Sequence, residues 1–141
     1  MLTIKRIEQS EAQILIAGAR EKATEIGIPM CIAITDESGN LVAFERMDGG
    51  KVTSITIAID KSFTASAAKK ATQGYGDISN SGGVTHGINS SIGGRLMVVG
   101  GGIPVEVGGD VVAGIGLSSG TPAQDIECAQ AGIDKLMAHL G

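Results

Sequence analysis

Aromatic residues are nearly missing from this chain: Phe44, Phe63 and Tyr75 are the whole complement, and tryptophan is absent. A core without rings must be built from Ile, Val, Leu, Met and Ala, and few stacking platforms remain for nucleic-acid bases. Basic runs are missing as well. None is longer than the pair Lys69-Lys70, and the net charge is −4, so the electrostatic footprint of a nucleic-acid-binding surface is absent. No apolar run approaches the ~20 residues that span a bilayer, and no signal-peptide pattern opens the chain, so a cytoplasmic protein without membrane contact is expected. Cysteine is scarce. Cys31 and Cys128 sit far apart inside apolar patterns and read as reduced core thiols, a disulfide or metal pair being the alternative.

What is present is glycine, 22 residues of it, and a hydrophobic fraction of 43%. That fraction is enough for a core without disulfide or metal staples, and the length fits one domain over 1–141 on a prior of ~100–200 residues per domain. Ala12, Leu15, Ile16, Ala19, Ala23 and Ile26 recur at helical spacing, which predicts a packing helix from about Ile7 to Ile26. Gly27 closes it and Pro29 prevents its resumption. Met30–Thr35 and Leu41–Met47 read as a hairpin around Asp36-Glu37-Ser38-Gly39-Asn40. The period of two puts Val42, Phe44 and Arg46 on one face. An inward Arg46 at the strand's end would need an anion, carbonyls or the rim; snorkelling, or pairing with Asp48 or Asp60, is the plainer account.

Val52 to about Lys70 reads as a second helix, with Val52, Ile55, Ile59 and Phe63 on its apolar side. Asp60, Lys61 and Thr64 lie within one turn of one another. They form either a polar lip over a pocket or an ordinary solvated face. Ala71–Gly94 breaks the periodicity and reads as a long Ser/Gly-rich loop, with room for short helical turns. His86 lies in this loop, as an idle exposed side chain or as a ligand or acid–base group. Between Gly93 and Gly120 three apolar runs, Leu96–Val99, Ile103–Val107 and Val111–Leu117, are split by Gly100-Gly101-Gly102 and Gly108-Gly109-Asp110. They predict three more strands, making five. Thr121 with Gln124 makes a capping box with Pro122 at the first helical position, opening a helix to about His139.

Chemical motifs mostly fail on spacing. In Gly114-Ile115-Gly116-Leu117-Ser118-Ser119-Gly120 the third glycine comes one residue late for a dinucleotide fingerprint, and no second parallel strand can follow. There is no Walker loop, no G-x-S-x-G, and no His or Cys pair at metal-ligand spacing. Backbone amides opening the last helix remain as an anion-holding feature.

Several phrases together resemble one family. ITDESGNLVAFERMD over 34–48 is similar to its strand–turn–strand signature, and AIDKSFTA over 58–65 to its A-x-D-K-A-x-T-A helix. Gly101-Gly102-Ile103-Pro104 is similar to its G-G-x-P hairpin, and GIGLSSGTPAQD over 114–125 to its closing motif. The chain thereby resembles the GlcG/HbpS-like, or haem-degrading domain, family, which includes the C-terminal domain of PduO-type proteins. The resemblance implies a two-layer α/β (α+β) fold of PAS/profilin-like topology, with an antiparallel sheet of about five strands and helices packed against it. It also implies homo-oligomers built from dimers, tetramers and octamers among them. On function it implies a small-ligand-binding protein, with haem or a related tetrapyrrole as the named ligand. Arg46, Asp60, Lys61, Thr64, His86, Gly101, Gly102 and Ser118 would line the site, and His86 would be the iron ligand. Two alternatives stand beside it. One is an enzyme acting on a small organic acid or aldehyde, with Lys61 as base or imine-forming amine and Arg46 holding a carboxylate. The other is a non-catalytic accessory subunit that binds only protein.

Overall fold

A computed structural model describes all of residues 1–141. Helix α1 (Gln9–Ile26) is followed by strands β1 (Cys31–Asp36) and β2 (Leu41–Arg46) and helix α2 (Thr53–Ala67). Helix α3 (Thr72–Ser79) comes next, then two 3-10 turns, Ile88–Ser90 and Ile92–Gly94. Strands β3 (Gly102–Val107) and β4 (Asp110–Ser118) and helix α4 (Pro122–Leu140) complete the chain. No helix is long and apolar enough to cross a membrane.

The four strands form one antiparallel sheet in the order β2-β1-β4-β3. Helices α1 and α4 pack on each other and on one face, and α2 covers the other. The architecture is therefore three-layered, not the two layers expected, and all six residues of the central strand β1 are buried. Alternation sorts that strand between two environments. Ile32 and Ile34 join Leu117, Ile115, Leu15, Ile16, Ala129 and Leu136 in the apolar core under α1 and α4. Cys31 and Ala33 face α2.

The α2 face is close-packed rather than greasy. Gly114 and Gly116 of β4 oppose Thr35 and Ala33, and a Cβ on Gly116 would overlap the carbonyl oxygen of Ala58. One on Gly114 would overlap that of Ser62. The bare backbone lets the helix settle onto the strand. Hydroxyls fill the seam: Ser62 Oγ donates to the Gly114 carbonyl at 2.9 Å, and Thr35 Oγ1 lies 2.9 Å from both Ser62 Oγ and Ser66 Oγ.

The fifth strand does not form. Leu96–Val99 lies outside the sheet because β3 already occupies the flank of β4, and the Met97 amide donates to Thr64 Oγ1 at 3.0 Å instead. Within the expected loop, residues 72–79 are helical. The glycines that interrupt the pattern there serve packing: a Cβ on Gly76 would overlap the Val98 carbonyl. Both predicted helix signals at Gly27 and Thr121 are present. Gly27 takes φ 76° and bonds back to Ala23 and Thr24, and the Thr121–Gln124 capping box is closed on both sides.

Candidate functional site

The residues singled out from the sequence divide among three places. At the end of the sheet where β1 begins, Arg46 and Ser118 pair across Cys31 from either side, and Gly102 opens β3 beside them. A bulge at Val42 breaks the expected run of side chains. Val42 turns to the α1/α4 core while Phe44 packs beside Cys31, Ala33 and Ala58. Arg46 is exposed, and it pairs with neither Asp48 nor Asp60. It lies on the rim of an open cleft of about 520 Å³ shared with Arg20, Thr24, Glu45, Met47 and Asp48. In that cleft Arg20 binds Glu45 Oε1 at 2.8 Å, while Glu45 Oε2 is buried with no partner. Ser118 Oγ donates to Ser54 Oγ at 3.0 Å, tying the start of α2 to the end of β4.

The second place is the interior. Lys61 is 2% exposed, and its ammonium donates to the Leu117 carbonyl and to Asp125 Oδ2, each at 2.9 Å. Asp125 Oδ1 accepts the Gly120 amide at 3.0 Å. Gly101, at φ 129°, leaves the space against which Lys61 Nζ and the Asp125 Cβ pack. The pair thus joins α2, the end of β4 and the first turn of α4. Burial pushes the Asp125 carboxyl above its ordinary range, outweighing the hydrogen bond and charge of Lys61. In the sequence Asp125 only closes the 114–125 phrase, and nothing there marks it as the partner of Lys61. Its partner lies 64 residues away, so neither spacing nor periodicity could pair the two.

Third, Asp60 and Thr64 hold the chain that follows α3. Asp60 Oδ1 accepts Arg95 Nε at 2.9 Å, and the Arg95 guanidinium lies 3.9 Å from the centre of the Phe63 ring. Thr64 Oγ1 donates to the Arg95 carbonyl at 3.2 Å. Both are buried, so the polar row on α2 is neither a lip around an open pocket nor a solvated face. Arg95 was not singled out, because nothing in its neighbourhood of glycines marks it. His86 is exposed, with Nδ1 3.2 Å from the Asn80 carbonyl.

Cavities do not gather these groups. The most apolar one, about 160 Å³, lies between the N-terminal segment, the β3–β4 hairpin and the end of α4, lined by Ile7, Val107, Val112, Leu136 and Leu140. It is small beside the ~300–1,000 Å³ of typical ligand sites. A larger cleft of about 650 Å³ near Leu2, Glu37 and Asp110 is open and mostly polar. No three His, Cys, Asp or Glu side chains gather as metal ligands. Cys31 and Cys128 are free and buried, and burial holds the Cys128 thiol up at about 11.

A single antiparallel sheet carries helices on both faces, and Arg46 lies unpaired at one of its ends. The family is shown by sequence: the chain belongs to the family described as haem degrading protein HbpS-like, matched over residues 7–134. It is 31% identical over 131 residues to a 15.0 kDa protein of the dhaT–dhaS intergenic region of Citrobacter freundii, covering 93% of this chain and 92% of that protein. Among solved structures, Klebsiella pneumoniae ORFY superposes with a TM-score of 0.95 at 30% identity, covering 98% of this chain and 95% of ORFY. The PduOC:heme complex superposes at 0.88 with 28% identity, covering 92% and 94%.

None of the three clefts described above offers an apolar slot of tetrapyrrole size, and His86 lines none of them.

Proposed function

We propose that this chain is a small-ligand-binding protein whose ligands carry a carboxylate, with haem or a related tetrapyrrole the ligand to test first. The observation that carries this reading is Arg46, an exposed guanidinium with no ion pair, on the rim of the 520 Å³ cleft. A planar fork of donors left free in this way suits a carboxylate held by two parallel hydrogen bonds. Haem propionates are such groups, and the haem complex of PduOC supports the ligand class. Because one protomer encloses no ring of that size, the ring would lie on an open face or be completed by a second copy. Self-association in dimers or higher assemblies is part of the same proposal. Gly102 and Ser118 would contribute from the same sheet end as Arg46. Asp60, Lys61, Thr64 and Gly101 would act from beneath as framework, and His86 would supply an iron ligand.

Titration of the purified protein with hemin, followed in the Soret region, tests this. A saturable Soret shift is expected, with Arg46→Ala weakening binding by about tenfold, the loss of one charge-assisted contact. Loss of the shifted band in His86→Ala would identify the iron ligand. No saturable shift, or an unchanged affinity in Arg46→Ala, overturns the reading. The imine-forming alternative is disfavoured by one observation. The Lys61 ammonium is sealed and committed to Leu117 and Asp125, whereas a nucleophilic amine must be neutral and reachable.

A further inference from the structure

Residues 80–94 are bonded almost entirely to themselves. Their backbone bonds run Gly83 to Asn80, His86 to Gly83, Ile88 to Thr85, Ser90 to Gly87 and Gly94 to Ser91, with Thr85 reaching back only to Ile78. Of their side-chain bonds only those of Thr85 leave the span, reaching Ser79 and the Ile78 carbonyl at the end of α3; His86 bonds with Asn80, Ser90 with Gly87 and Ser91 with Ile88. The two 3-10 turns pack chiefly on each other. Val84 is 89% exposed and Ile92 57%. The segment therefore has neither ladder bonds nor a buried apolar face to hold it to the sheet layers, the conditions under which a unit opens without global unfolding.

Its two ends are built to bend, and apart from the bonds of Thr85 to the end of α3 it is fastened at one point. Gly82 takes φ 85°, and Ile92, Gly93 and Gly94 take 54°, 63° and 80° in succession. For Ile92, branched at Cβ, that left-handed conformation is strained. Immediately after it comes Arg95, the first residue of the segment to grip the body, by its bond to Asp60 and its stacking on Phe63. Beyond it Thr64 receives the Met97 amide and Thr72 Oγ1 accepts the Gly102 amide at 2.9 Å, so the chain is firmly held again.

We propose that residues 80–95 are a hinged flap latched by Arg95, and that its release uncovers Asp60 and the face of Phe63 while α2 and the sheet stay folded. This inference does not depend on which ligand the protein binds. It assigns Asp60 a place on a surface that is closed at rest, and Arg95 the position that an incoming cationic or planar group would have to take over.

Hydrogen exchange by mass spectrometry on the whole chain tests it. Peptides spanning 80–95 are expected to exchange as one unit, far faster than β1 and α1. Arg95→Gln should speed that unit about five- to tenfold, the loss of a part-exposed ion pair and a cation–π contact. Asp60→Asn should speed it comparably, and the double variant should go little beyond either single one. β1 is expected to keep its rate in all three. The proposal is overturned if residues 80–95 exchange only at the rate of β1, if neither variant speeds them, or if the two effects multiply independently. A variant that accelerates β1 equally with the flap also counts against it, since the latch would then be a strut of the whole fold.

Discussion

Replacing Lys61 with Met removes an ammonium from the interior but keeps most of the side chain's length. Asp125 is then left as a buried carboxylate without its counter-charge, and at neutral pH the cost is about 3–5 kcal/mol. Asp125→Asn strands the ammonium instead and should cost a similar amount. Asn can still accept the Gly120 amide, so the double variant removes both charges of the pair together and leaves only the Leu117 carbonyl without its donor. It should cost about 1–2 kcal/mol, well short of the sum of the singles. The pH dependence has a definite sign. Burial raises the folded-state Asp125 carboxyl above its ordinary 3.8, so folding takes up a proton there. The stability this contributes is complete below the ordinary value and is lost as pH rises through the raised one. Without Lys61 to favour the carboxylate, that window moves further up. Lys61→Met should therefore recover stability on acidification by up to about 1.4 kcal/mol per pH unit within it. Urea unfolding at about pH 5 and about pH 7.5, with unchanged m-values, measures all of this. Costs below about 1 kcal/mol for the singles, or singles that add in the double, would refute the reasoning.

Gly116→Ala should force α2 off the sheet, since the new methyl overlaps the Ala58 carbonyl; a loss of about 2–3 kcal/mol is expected, read as a lowered thermal midpoint. Native Cys128, its thiol held up at about 11, should resist a thiol reagent at about pH 8 until urea unfolds the protein. Prompt stoichiometric labelling of the folded chain would show that the α1/α4 layer opens far more readily than its packing suggests.

Where local chemistry decides an element, the sequence was a sufficient guide. The Gly27 cap, the Thr121–Gln124 box and the β1–β2 hairpin each rest on contacts within a few residues. The 34–48, 58–65, 101–104 and 114–125 phrases were enough to identify the family. What escaped depends on distant partners. The run Leu96–Val99 has a strand's composition, but it lies off the sheet, with its Met97 amide given to a hydroxyl on α2. Helix α3 was hidden because Gly74 and Gly76 read as breakers, when their lack of side chains admits Lys70 and Val98. Val42, Phe44 and Arg46 were read as one face; the bulge turns Val42 away, while Phe44 and Arg46 stay opposite Ala33 and Cys31, with Arg46 exposed at the strand's end. Asp60 and Lys61 were read as a lip over a pocket or a solvated face; both are buried instead, because their partners Arg95 and Asp125 lie 35 and 64 residues further along.

The two faces of this sheet should respond differently to temperature. The α1/α4 side is held by apolar burial, whose strength fades on cooling and whose loss carries a large positive heat capacity. The α2 side is held by hydroxyl hydrogen bonds, a buried ion pair and backbone contact across Gly114 and Gly116. Little apolar surface is hidden there, so its attachment should be nearly indifferent to cold. Chilled toward its lower stability limit, the molecule is expected to loosen first under α1 and α4, with α2 still seated on the strands.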